Sequence, residues 1–151
     1  MSYDYIELKK ILNDKKIRTL FQPIISLENG NILGYEALSR GPENSLLKSP
    51  IKLFKVAKQN KLLFQLEKVC REQALKNARR MGDFKLFINV DPNVIYDDDF
   101  CQGVTKKFLK SQSLSHTDIV IELTERSSIK DYEGFRRVLN HYKVQGYNVA
   151  I

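Results

Sequence analysis

The feature that most restricts this chain is a repeated change of hydrophobic period. Short apolar runs suited to strands alternate with longer stretches whose apolar residues return every three or four positions, as on one face of a helix. Tyr5, Ile6, Leu8, Ile11 and Leu12 mark a helix over 3–14, and 18–27 and 32–38 read as strands. The Glu28-Asn29-Gly30-Asn31 segment between those strands is a tight-turn signal, so the two should form an antiparallel hairpin. Pro50 suits the first turn of a helix. Phe54 and Ala57, then Leu62, Leu63, Leu66, Val69, Cys70, Ala74 and Ala78, carry a helical pattern down to Gly82, with a break expected at Asn60-Lys61. Further strands are expected at 85–90, 119–123 and 148–151, and helices at 100–109 and 132–142.

Strands that alternate with helices of about 10 to 15 residues pair in parallel through crossovers, so the fold class is α/β. Five strands are present, whereas a closed (β/α)8 barrel takes about 250 residues, and the chain has 151. It is therefore expected to be part of a barrel, ending in the apolar run at Ile151. No internal repeat or linker divides it. An apolar content of 42% with only seven Gly and four Pro excludes disordered and collagen-like chains, and there is no run of roughly 20 apolar residues to cross a bilayer.

Cys70 and Cys101 make no disulfide framework, and the start MSYDYIELKK lacks a signal-peptide pattern, so the reducing cytoplasm is the expected compartment. The net charge of +7 is concentrated in residues 1–80, which hold 16 basic and 8 acidic residues. Such a balance permits an anionic partner. Lys48, Lys52, Lys55, Lys58 and Lys61, three or four apart, read as a solvated helix stripe.

In parallel α/β domains reactive groups collect where the strands end. Glu36 interrupts the second apolar run, Asn89 the third and Glu122 the fourth. By strand alternation Glu36, Leu38 and Arg40 share a face, as do Asn89 and Asp91, while Glu122 and Thr124 face away from Glu125. Two carboxylates and an amide form a hard oxygen set suited to Mg²⁺ or Mn²⁺ rather than zinc or copper. Taken alone, the same residues could equally be strand ends reaching solvent.

Four motifs in order resemble the EAL domain family, which hydrolyses the bacterial messenger cyclic di-GMP. They are Phe21-Gln22-Pro23-Ile24, the namesake Glu36-Ala37-Leu38 with Arg40, Phe87-Ile88-Asn89-Val90-Asp91-Pro92, and Glu122-Leu123-Thr124-Glu125. The resemblance runs from about residue 17 onward, with 1–16 as a leading helix. It implies a TIM-like barrel with an antiparallel first strand, here a truncated part-barrel. It also implies that Glu36, Asn89 and Glu122 bind metal, two Mg²⁺ or Mn²⁺ ions being expected in the complete domain. Gln22, Leu38 and Arg40 would contact cyclic di-GMP, and Glu125 would support catalysis through an active-site loop. Asp91 stands where the family usually has Ser, and Arg40-Gly41-Pro42 where many members have Arg-Trp.

The family's later Asp-Asp-Phe-Gly segment and its Lys, Glu and Gln positions lie beyond Ile151, so this segment by itself is expected to be inactive. The reaction implied is metal-dependent opening of cyclic di-GMP to linear pGpG, by a protein expected to be a homodimer when complete. The competing reading is a cyclic di-GMP receptor or protein-interaction module that does not hydrolyse. A half-barrel that dimerises over its open edge is a third reading. Neither a DNA nor an RNA polymer is an expected partner, since there is no helix-turn-helix, RRM or zinc pattern, and no membrane contact is expected. His116 and His141 are expected to face solvent, and Asp97-Asp98-Asp99 to supply capping charge for the helix after it.

Overall fold

Ser2 opens α1 (Tyr3–Asn13) by accepting the Tyr5 amide on its hydroxyl, at 3.3 Å. In this computed structural model, which describes residues 2–78, 84–101, 103–112, 114–123 and 131–151, the expected order of elements holds. After α1 come β1 (Arg18–Ile25), β2 (Ile32–Arg40), α2 (Pro50–Gln59), α3 (Leu63–Ala78), β3 (Lys85–Val90), α4 (Val104–Gln112), β4 (Ile119–Leu123), α5 (Tyr132–Val144) and β5 (Asn148–Ala150). The five strands lie in sequence order in one sheet. β1 runs antiparallel to β2, and the pairs β2–β3, β3–β4 and β4–β5 are parallel.

The sheet has two unlike faces. Ala37, Leu86, Ile88, Val90, Ile119, Ile121 and Leu123 are buried in one core with residues of α3, α4 and α5, among them Ala74, Leu75, Leu109 and Val138. A smaller core gathers Leu8 and Ile11 of α1, Leu53 and Ala57 of α2, and Leu66 and Val69 of α3 around Ile17 and Leu47. The alternate residues of the strands form the opposite face, where Phe87, Asn89, Val120 and Glu122 are only half-buried. Gly34 allows β2 and β3 to meet, because a Cβ there would stand 2.3 Å from the Lys85 carbonyl oxygen and 2.9 Å from the Phe87 ring.

The break between α2 and α3 falls where expected, at Asn60 and at Lys61 with φ +53°. The next helix departs from expectation. α4 begins at Val104 rather than at 100, after Gly103 takes φ +77°. The three aspartates are therefore too far upstream to cap it. Asp97 instead accepts the Phe64 amide at 3.0 Å and so caps α3 from across the chain, while Asp99 accepts from Gln65. His116 is exposed as expected, but His141 is half-buried, its ring packed edgewise on Phe100 and Tyr142. Burial, together with the charge of Arg71, lowers its pKa.

Candidate active site

Register brings the polar strand residues together. Gln22 stands opposite Glu36 across the β1–β2 pair, and directly opposed residues share a face. Glu36 is aligned with Phe87, which puts Asn89 one pleat further toward the C-terminal end of the parallel strands, and Asn89 is aligned with Glu122. The Asn89 side-chain amide donates to Glu36 Oε1 at 2.6 Å. All four side chains thus belong to the face that the helices leave open.

The three central groups are only partly satisfied. Among the described residues, Glu122 Oε2 is buried and has no hydrogen-bond partner. Burial, with the charge of Glu36 added, raises the Glu122 pKa. Two carboxylates held on one face, one with a bare oxygen, are costly unless a proton or a cation joins them. Among the described residues no group of three or more His, Cys, Asp and Glu stands together as a metal cage. The donor set is two carboxylates and an amide, which fits Mg²⁺ or Mn²⁺, since Mg²⁺ is ordinarily held by one or two carboxylates with the rest of its shell from water and substrate phosphate.

Leu38 and Arg40 continue along β2 on the same side, both half-buried. The Arg40 guanidinium donates from Nη1 to the Ser39 carbonyl at 2.9 Å, and no carboxylate among the described residues lies within ion-pair range of it. Its remaining N–H groups can meet an anion. Glu125, and Thr124 beside it, lie outside the described residues.

Asp91 points away from this set. Its carboxylate pairs with Lys58 of α2 and accepts the amide and the side-chain nitrogen of Asn93, at 3.0 and 2.7 Å, capping a 3-10 turn at 92–96. Its backbone N–H donates to Glu67 Oε1 at 2.7 Å. Glu67 and Arg71, one helical turn apart, are not among the residues that the motifs single out. A usable signal was there: Leu63, Glu67, Arg71 and Leu75 form an i, i+4 row, so two opposite charges sit within an apolar helix stripe.

A family model for the EAL domain matches residues 7–151. The chain is 28% identical over 141 residues to a probable cyclic di-GMP phosphodiesterase of Escherichia coli, PdeI, covering 87% of this chain and 18% of that protein. It superposes on Klebsiella pneumoniae BlrP1, solved as a calcium and cyclic di-GMP complex, with TM-score 0.75 and 25% identity over 90% of this chain and 34% of that one. The Xanthomonas citri FimX EAL domain, in complex with cyclic di-GMP, shares the fold at TM-score 0.79 and 16% identity, over 97% of this chain and 58% of that one. The chain therefore spans about a fifth of PdeI, about a third of the BlrP1 chain and somewhat over half of the FimX one. Among the described residues no helix is long and apolar enough to cross a membrane. With a match that reaches from residue 7 to the last, the chain belongs to the EAL domain family.

Proposed function

We propose that the protein carrying this chain opens one phosphodiester bond of cyclic di-GMP to give linear pGpG, with Glu36, Asn89 and Glu122 as ligands for Mg²⁺ or Mn²⁺. The observation that carries the reading is the meeting of these three side chains on the open face of the sheet, with Glu122 Oε2 buried and without a partner among the described residues. A divalent cation bound there would offset charge on the phosphate and lower the pKa of the attacking water. Glu36 and Glu122 supply negative charge, and the Asn89 amide keeps the Glu36 carboxylate turned toward the other two. Arg40 would orient the substrate through a phosphate oxygen, using the N–H groups not committed to Ser39. Leu38 offers apolar surface between them, and Gln22 a hydrogen-bonding group across the hairpin from Glu36. Glu125 is assigned the supporting role that the family resemblance implies.

The test is turnover by the full-length protein in Mn²⁺ or Mg²⁺, with pGpG resolved by chromatography. Glu36→Gln should lower the rate by at least about 100-fold, since even outer partners of a metal ligand cost 10–100-fold when removed. Unchanged turnover would remove Glu36 from the site. Tight binding of cyclic di-GMP by the wild-type protein with no product in either metal would instead establish the receptor reading.

A further inference from the structure

We infer that Glu67, on the helix-covered side of the sheet, is a positioning residue for the site on the open side: by holding the backbone at Asp91 it sets the direction of Asn89. The inference rests on the functional reading above. β3 leaves the sheet after Val90, the last residue aligned with β4, so Asn89 is the last polar side chain that the ladder itself directs onto the open face. The next backbone donor, the Asp91 N–H, goes to Glu67 Oε1 at 2.7 Å.

Glu67 is itself fixed. Its other oxygen accepts from Arg71 Nη2 at 3.2 Å, and Arg71 Nη1 donates to Thr105 Oγ1 of α4 at 2.6 Å and to the Tyr142 hydroxyl of α5 at 3.2 Å. The two charged side chains are only 3% and 5% exposed. One guanidinium thus ties three helices to the carboxylate that anchors the end of β3. Lys58 and Asn93, which hold the Asp91 side chain, complete the anchor.

Stability alone does not account for this arrangement. A buried ion pair is commonly matched or exceeded in stability by well-packed apolar residues of similar volume. What an apolar pair lacks is an acceptor for the Asp91 N–H, and a carboxylate locked at both oxygens sets the direction of that bond. The partner of a metal ligand ordinarily acts through the ligand's side chain; here the constraint reaches Asn89 through two residues of backbone.

The test uses the full-length protein and reads Mn²⁺ uptake by calorimetry without nucleotide, alongside thermal unfolding. Glu67→Met with Arg71→Met removes the pair and leaves no unmatched charge. This double variant should stay folded, with a modest fall in unfolding temperature from the Asp91 N–H left without its acceptor, yet bind Mn²⁺ about 10-fold more weakly or worse. Glu67→Gln, which keeps an oxygen for the Asp91 N–H, should bind Mn²⁺ within about 2-fold of wild type, as positioning requires. A folded double variant with wild-type Mn²⁺ affinity would overturn the inference, as would a Glu67→Gln variant as weak as the double.

A measurement on the wild-type protein stands apart from any folding defect. Because coupling is reciprocal, Mn²⁺ should slow hydrogen exchange of the Asp91 amide. Exchange indifferent to Mn²⁺ would overturn the inference even if the double variant did not fold. A wild-type protein that takes up no Mn²⁺ at all would overturn the functional reading and this inference with it, whereas normal wild-type uptake with an unaffected double variant would overturn the inference alone.

Discussion

Two polar clusters lie on opposite sides of β3, and they differ in how far their hydrogen bonds are met. On the helix side, both oxygens of Glu67 are matched, and Arg71 is held by Glu67, Thr105 and Tyr142, with its Nε left bare among the described residues. On the open side, among the described residues, Glu36 has one donor in Asn89 and a buried oxygen of Glu122 has none. Both clusters contain carboxylates that burial pushes toward protonation. The first offsets part of that cost with donors of its own, whereas the second leaves an oxygen without a donor among the described residues. A charge buried with its partners suits a brace, and a converging set left short of donors suits the proposed metal site.

The largest effect should come from unbalancing the brace. Glu67→Leu leaves Arg71 buried with no carboxylate, and it should cost about 3–5 kcal/mol of unfolding free energy, as removal of one partner of a buried pair does. Urea unfolding of the variant against wild type would measure it. A loss below about 1 kcal/mol would mean that the pair is solvated and that the contrast between the clusters is weaker than their geometry implies.

A pH series separates the two sides further. Burial, only partly opposed by Arg71 and the Asp91 N–H, lifts the Glu67 carboxyl from 4.5 to about 7. The fold therefore favours its protonated form. That contribution to stability is fully present below pH 4.5 and is lost as pH rises through about 7. Glu67→Gln cannot titrate, so the wild-type advantage over it should shrink across that window, by a few kcal/mol at most. A constant difference would show that Glu67 holds the same charge throughout.

Much of this architecture could be read from the chain because local signals and tertiary demands agree. Glu28-Asn29-Gly30-Asn31 closes a hairpin, and 85–90 and 119–123 appear as strands at the expected limits. The open-face set was legible because a polar residue inside an apolar strand is conspicuous, and alternation says which face it takes. The brace was harder to see. Glu67 and Arg71 share their helix with Lys68 and Lys76, which are exposed, and only tertiary packing shows that theirs are the buried charges. The late start of α4 escaped for a similar reason: Phe100 continues the apolar pattern but packs on Phe64 and His141 from a loop. Asp97 and Asp99 before it serve α3, a partner more than thirty residues away that helix-start rules, which look only a few residues ahead, cannot find.

The smallest expected effect bears most directly on what the open cluster is for. Burial and the charge of Glu36 raise the Glu122 pKa, so an ionised Glu122 opposes folding. Without metal, Glu122→Gln should match wild type near pH 4 and become slightly more stable at pH 8, by under about 1 kcal/mol, because the group is only half-buried. Saturating Mn²⁺ should reverse the order: a ligand present at 100 times its Kd adds about 2.7 kcal/mol to whichever protein binds it, and Glu122→Gln has lost one anionic donor. Thermal unfolding at pH 8, with and without Mn²⁺, reads both halves. A variant less stable than wild type in both conditions would make Glu122 a structural residue like Glu67, whereas the reversal would identify it as a group that costs the fold a little and acts only once a cation is bound.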